Sequence, residues 1–178
     1  LSPSVKGQTL FQIYGKYFAG REEDQKKITQ ELNDYEKDMP YVPVKGAFEF
    51  ITELRKRGVT TAIVTSSNKP KMENVYRHYP EFKDLVGHIF TSEFVTRSKP
   101  DPQCFLNAME ALGAPVSETV VFEDSINGLK AARASGAYVV GLLTSNPAEV
   151  VNPMCDYSIE DFMSFTPEEL SKVSGIDF

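Results

Sequence analysis

The sequence predicts an α/β fold, a mostly parallel sheet with helices on both faces, preceded by a short helical piece. Three observations predict it. From Thr60 onward, short apolar runs rich in β-branched residues alternate with stretches whose apolar residues recur every three or four positions. Three helical stretches stop at Gly58, Gly113 and Gly136, and glycine takes the left-handed cap conformation at little cost. The first forty residues carry helical patterns alone and are set off by "PYVP", Pro40 to Pro43. Strands alternating with helices pair in parallel, and such sheets take ligands beyond the carboxyl ends of their strands.

The elements follow in order. "GQTLFQIYGKYF" and "EEDQKKITQELNDYEKDM" read as helices, the second with Ile28, Leu32, Tyr35 and Met39 on one stripe. We assign residues 1–43 to this helical piece and residues 44–178 to the α/β unit. "GAFEFITELRKRG" opens the latter as a helix with Ala47, Phe50, Ile51 and Leu54 inward. "TTAIVTS", "HIFTSEF", "TVVFED", "AYVVGLLT" and the weaker "DYSIEDF" are the expected strands. Two helices between them bury Phe105, Ala108, Met109 and Leu112, and Ile126, Leu129 and Ala132.

Composition removes several classes. A chain of 178 residues, 41% apolar and 25% charged, is long enough for one full core. Its net charge of −6 argues against a nucleic-acid binder, which needs a basic face, and no nucleic-acid partner is expected. No apolar run reaches the roughly 20 residues that span a bilayer, so we expect no membrane partner. We read no signal peptide, and Cys104 and Cys155 are too few for a disulfide framework, so a reducing, cytoplasmic setting is expected. His78 and His88 lack metal-ligand spacing and read as surface residues. The chain opens at Leu1 in mid-pattern, and we expect it to be processed or part of a longer polypeptide.

Three segments carry chemistry. In "VVFEDSINGLKAARASGA", Asp124 or Ser125 can cap the following helix, but Glu123 still lies within the strand, where a lone carboxylate needs a cation. A hard cation such as Mg²⁺ would supply it. In "VTSSNKP", Ser67 or Asn68 starts a helix with Pro70 in its first turn. The same hydroxyls and amides make an anion cradle. In "TRSKPDP", prolines limit the reach of Lys99, whose ammonium could balance phosphoryl charge.

Taken together, Thr65–Ser66, Lys99-Pro100 and Glu123-Asp124 followed by "GLKAA" resemble the haloacid-dehalogenase-like hydrolase superfamily. The likeness is strongest to its helical-cap branch, the β-phosphoglucomutase-like and phosphoglycolate phosphatase-like proteins. It covers about Val44 to Phe162, and "VKGQT" resembles the cap loop that closes over substrate. The resemblance implies a Rossmann-like core with part of a helical cap. It implies that Thr65 binds the transferring phosphoryl group with Ser66 and Asn68 near it, that Lys99 holds nucleophile and phosphate together, and that Glu123 and Asp124 ligate Mg²⁺ directly or through water. The implied reaction is attack by an aspartate on a small phosphorylated metabolite, giving an aspartyl-phosphate.

The sequence departs from that pattern at one place. The family's nucleophile sits in a pair of aspartates separated by one residue, on the first and central strand. No two aspartates here are so spaced, and no apolar strand precedes the helical piece. We therefore expect the first strand to lie outside this sequence, and residues 1–178 alone to be inactive. Sugar-phosphomutase members carry an arginine soon after the cap "KG", whereas here none occurs before Arg21, which favours a phosphatase over a phosphomutase. The alternatives are a sugar phosphomutase of the same fold and a non-catalytic phosphate-binding module; a dehalogenase is a weaker rival, since those members do not need the metal-binding acid pair.

Overall fold

The computed structural model describes residues 10–37 and 39–178, so the Val5–Thr9 cap-loop likeness lies outside the described residues. Helices α1 (Leu10–Tyr17) and α2 (Glu22–Lys37) form the helical piece. Three acids in the first turn of α2 suit the positive end of its dipole. Neither helix buries a residue fully. Ile28 and Leu32 are half-buried as their stripe predicts, but Tyr35 stands 70% exposed. In that turn it is the neighbouring Glu36 that meets the rest of the chain, pairing with Lys71 at 2.6 Å.

The α/β unit runs α3 (Ala47–Lys56), β1 (Ala62–Val64), α4 (Lys69–His78), α5 (Phe82–Val86), β2 (His88–Phe90), α6 (Gln103–Leu112), β3 (Val120–Glu123) and α7 (Ile126–Ser135). It ends with β4 (Tyr138–Leu142), α8 (Ala148–Val151), β5 (Tyr157–Ile159) and α9 (Pro167–Ser174). Gly113 and Gly136 cap α6 and α7 at φ 64° and 84°, as the sequence predicts. Ile126, expected inward, is 36% exposed, because it opens α7 at the rim of the sheet. The second expected strand stops at Phe90, and "SEF" turns as a short 3₁₀ helix. His78 and His88 are exposed, and both cysteines are free. No helix among the described residues is long and apolar enough to cross a membrane.

All pairing among the described strands is parallel, but it falls into two sheets where one was expected. β1 pairs with β2, Val64 opposite Phe90. β4 lies between β3 and β5, with Phe122 opposite Val140 and Gly141 opposite Ser158. β1 and β3 are not hydrogen-bonded to each other, so each keeps one edge without a strand beside it among the described residues.

The larger sheet is buried on both faces, and strand alternation divides its side chains between two cores. Val121 and Val139 point to one face and pack with Phe105, Met109, Leu129 and Val151 from α6, α7 and α8. Val140 and Leu142 point to the other, against Phe50, Leu54, Phe165 and Leu170, chiefly from α3 and α9. Gly141 is glycine because a Cβ there would lie 2.4 Å from Val151 Cγ1. Helices clamped on both sides fix the carboxyl end of β3, where the acids sit.

Because β4 alone of these strands is paired on both edges, its amides should exchange slowest. Hydrogen exchange read by NMR should find Val139 and Val140 more protected than Ile63 and Val64. Equal protection in β1 would mean that something else pairs its free edge.

Candidate functional site

The site assembles where β1 and β3 end. Thr65 extends the first ladder by one bond, its N–H donating to the Phe90 carbonyl at 2.9 Å. Its hydroxyl accepts from Ser67 N at 3.0 Å and tightens the turn. Asn68 is the N-cap of α4, its Oδ1 accepting from Lys71 N at 3.0 Å, with Pro70 in the first turn. The capping role expected of "VTSSNKP" is therefore present. Ser66 and Asn68 are both exposed on this turn, and neither hydrogen-bonds to Lys99 or Glu123 among the described residues.

Lys99 arrives on the loop before α6. That loop is held by Gln103, whose Oε1 accepts from the amides of Thr96 at 3.0 Å and Arg97 at 2.7 Å, and by Asp101, which accepts from Gln103 N at 2.9 Å. The Lys99–Pro100 peptide is cis. Lys99 is only 8% exposed, and its ammonium lies 4.7 Å from the centre of the Phe105 ring. It donates to Glu123 Oε2 at 2.7 Å and to the Val64 carbonyl at 3.4 Å. One ammonium thus bridges the ends of β1 and β3, the two strands that do not pair. From the helical piece, Gln12 Nε2 donates to the Lys99 carbonyl at 3.2 Å.

Glu123 is held from every side. Its Oε1 accepts from Asp124 N at 3.1 Å and from both the amide and hydroxyl of Ser125 at 2.9 Å. Ser125 in turn caps α7, its Oγ accepting from Gly128 N at 3.1 Å. A Cβ on Gly128 would fall 2.0 Å from Glu123 Cδ, so the absent side chain is the space the carboxylate occupies. Burial pushes the Glu123 carboxyl up, but the Lys99 ammonium and the Ser125 donors outweigh it and hold it below the usual 4.5. The cation expected beside Glu123 is therefore Lys99. The ammonium already compensates the charge of Glu123, so burial of that carboxylate does not by itself require a metal.

Asp124 faces elsewhere. Thr144 Oγ1 donates to its Oδ2 at 3.0 Å, Ser145 Oγ donates to the same oxygen, and Asn146 Nδ2 donates to its carbonyl at 2.8 Å. Among the described residues no three His, Cys, Asp or Glu side chains gather in a metal cage. Mg²⁺ commonly binds one or two protein carboxylates and completes its shell with phosphate and water. A half-buried carboxylate oriented by two hydroxyls fits that demand, so Asp124 can hold Mg²⁺. Glu123, with both oxygens engaged, fits only through water.

The fold thus brings Lys99, Glu123 and the β1 end at Thr65 together, sets Asp124 beside them, and leaves Ser66 and Asn68 on the rim. Sequence reasoning missed Gly128, Gln12, Thr144, Ser145 and Asn146. One signal was available: "TSSN" after β1 recurs as "TSN" after β4, so two strands end in the same hydroxyl-rich turn.

Residues 7–136 match the family model "haloacid dehalogenase-like hydrolase". The chain is 35% identical over 115 residues to validoxylamine A 7'-phosphate phosphatase of Streptomyces hygroscopicus subsp. limoneus. That match takes in 64% of this chain and 54% of that protein, so the chain spans about half the length of this curated relative. Its backbone superposes on a HAD hydrolase, family IA, variant 3, from Entamoeba histolytica HM-1:IMSS with a TM-score of 0.79 and 26% identity, covering 97% of this chain and 81% of that one. A β-phosphoglucomutase from Clostridium difficile shares the fold with a TM-score of 0.77 at 16% identity, over 97% and 80% of the two chains.

Two outcomes check this geometry. Gly128→Ala should displace Glu123 from Lys99 and cost about 1–3 kcal/mol in urea unfolding; unchanged stability would mean Glu123 has room to move. The Glu123 carboxylate, held below 4.5 when folded, contributes stability that is complete above the unfolded value and lost as pH falls through the folded one. The urea midpoint gap between wild type and Glu123→Gln should hold near neutral pH and close below pH 4.5.

Proposed function

The chain belongs to the haloacid dehalogenase-like hydrolase family, and we propose that its site is that of a Mg²⁺-dependent phosphatase of a small phosphorylated metabolite, acting through an aspartyl-phosphate. The observation that carries this reading is the buried Lys99–Glu123 pair, set across the ends of β1 and β3 beside the start of α4. Such a pair puts a fixed ammonium at the rim of the sheet, where it offsets the repulsion between a dianionic phosphate and the two acids. A relative named as a phosphate-ester phosphatase supports the same reaction class.

Each residue then has a task. The Thr65 hydroxyl accepts from Ser67 N, which leaves its own proton to donate to a phosphoryl oxygen. Ser66 stands at the rim beside it, while the first amides of α4 are already engaged, Lys69 N by Glu93 Oε1 and Lys71 N by Asn68 Oδ1, so an anion would have to displace the cap to reach them. Lys99 holds the attacking carboxylate and the phosphate close despite their like charge, and Glu123 keeps its ammonium from swinging away. Asp124 would hold Mg²⁺, with Glu123 reaching it through water. The bound ion would neutralise phosphoryl charge.

The attacking aspartate is supplied from outside residues 1–178 in this reading, since no two aspartates in the sequence are separated by one residue. Among the described residues β1 and β3 each keep one edge without a partner strand, and these edges offer a parallel strand its place. Residues 1–43 serve as part of a cap over residues 44–178, with Gln12 touching the site from the cap side. A phosphomutase must hold a second phosphate, and the lack of arginine before Arg21 favours the phosphatase.

Phosphate release from a panel of sugar and polyol monophosphates, by the protein that includes the aspartate pair, tests this reading in one series. Mg²⁺ should support turnover and EDTA abolish it, and Lys99→Met should lower kcat at least about 100-fold. Undiminished turnover in EDTA would sink the metal assignment, and a near-normal Lys99→Met rate would sink the charge-holding role. Phosphate binding with no turnover by the protein that includes the aspartate pair would favour the binding module.

A further inference from the structure

Three consecutive side chains leave the end of β4 and converge on one residue at the end of β3. Thr144 and Ser145 place both hydroxyl donors on Asp124 Oδ2, and Asn146 donates to the Asp124 carbonyl at 2.8 Å. The arrangement is more than a strand-end cap. Ser125, the neighbour of Asp124, already caps α7, and Asp124 is not needed there. Nor is its charge compensated by a partner, because the ion pairs among the described residues include none to Asp124. Two hydroxyls on one oxygen fix the rotation of the carboxylate and bring no countercharge with them. A third bond to the backbone fixes the position of the Cα behind it.

A carboxylate that only needed solvation could take it from water, since Thr144 and Ser145 are themselves exposed. What protein hydroxyls add and water does not is a fixed direction. We propose that Thr144, Ser145 and Asn146 are positioning residues for the metal, orienting Asp124 so that its carboxylate meets Mg²⁺ without first losing rotational freedom. The inference rests on the Mg²⁺ reading above and deepens it. Outer partners of a ligand carboxylate characteristically change metal affinity by roughly 10- to 100-fold.

The test is direct Mg²⁺ binding by calorimetry on the purified protein, with no substrate present. Wild type, Thr144→Val/Ser145→Ala, Thr144→Ser and Asp124→Asn are compared, and each is also melted in EDTA. The double variant should bind Mg²⁺ roughly 10- to 100-fold more weakly. Its melting temperature in EDTA should match wild type, and Thr144→Ser, which keeps both hydroxyls, should bind Mg²⁺ like wild type. A double variant that binds Mg²⁺ like wild type overturns the inference while the metal reading stands. A double variant whose melting temperature in EDTA falls along with its affinity, with Thr144→Ser weakened in the same way, makes the loop a structural tie and also overturns it. A wild type with no Mg²⁺ binding, indistinguishable from Asp124→Asn, removes the metal reading itself and the inference with it.

Discussion

A buried ammonium and a buried carboxylate can neither of them stay charged alone, and much of this structure follows from their sharing one place. Removing either from water costs several kcal/mol, and only close geometry with the remaining donors satisfied repays it. Lys99 and Glu123 meet at 2.7 Å, and the other oxygen of Glu123 takes three further hydrogen bonds from Asp124 and Ser125. The Phe105 ring lies under the ammonium, and Gly128 gives up its side chain to make room for the carboxylate. The pair is also the polar link between the ends of two sheets that share no backbone bonds.

That constraint can be met only because the surrounding frame is rigid. Small residues Ala131 and Ala132 let α7 lie close on the larger sheet, and Leu129 fills the space beneath without exposure. On the opposite face a cluster of rings, Phe50, Phe122, Phe162 and Phe165, meets at centroid distances between 5.0 and 6.3 Å. Interiors packed this way do not let a strand end drift, so Glu123 and Asp124 are presented at fixed positions.

The helical piece is attached on different terms. With no fully buried side chain in α1 or α2, it is joined to the α/β unit largely by polar contacts: Glu36 to Lys71 at 2.6 Å, Gln12 to the Lys99 carbonyl, and the Tyr79 hydroxyl to the Tyr41 carbonyl at 2.6 Å. Each is partly accessible to water, where such contacts contribute little net free energy.

What the sequence determined by itself is what depends on short-range pattern. Apolar period placed the elements, glycine at Gly113 and Gly136 ended their helices, and the order Thr65, Lys99, Glu123, Asp124 pointed to the rim of a parallel sheet. These signals are local, because period and cap chemistry act within one or two turns. Tertiary structure alone decided that the larger sheet stands apart from β1 and β2. It also decided that the cation at Glu123 is Lys99, that Tyr35 and Ile126 face water, and that Asp124 answers to a loop some twenty residues downstream. The physical reason is that a charge or a strand edge is satisfied by whatever comes within about 3 Å of it, and that approach is set by packing, not by position in the chain.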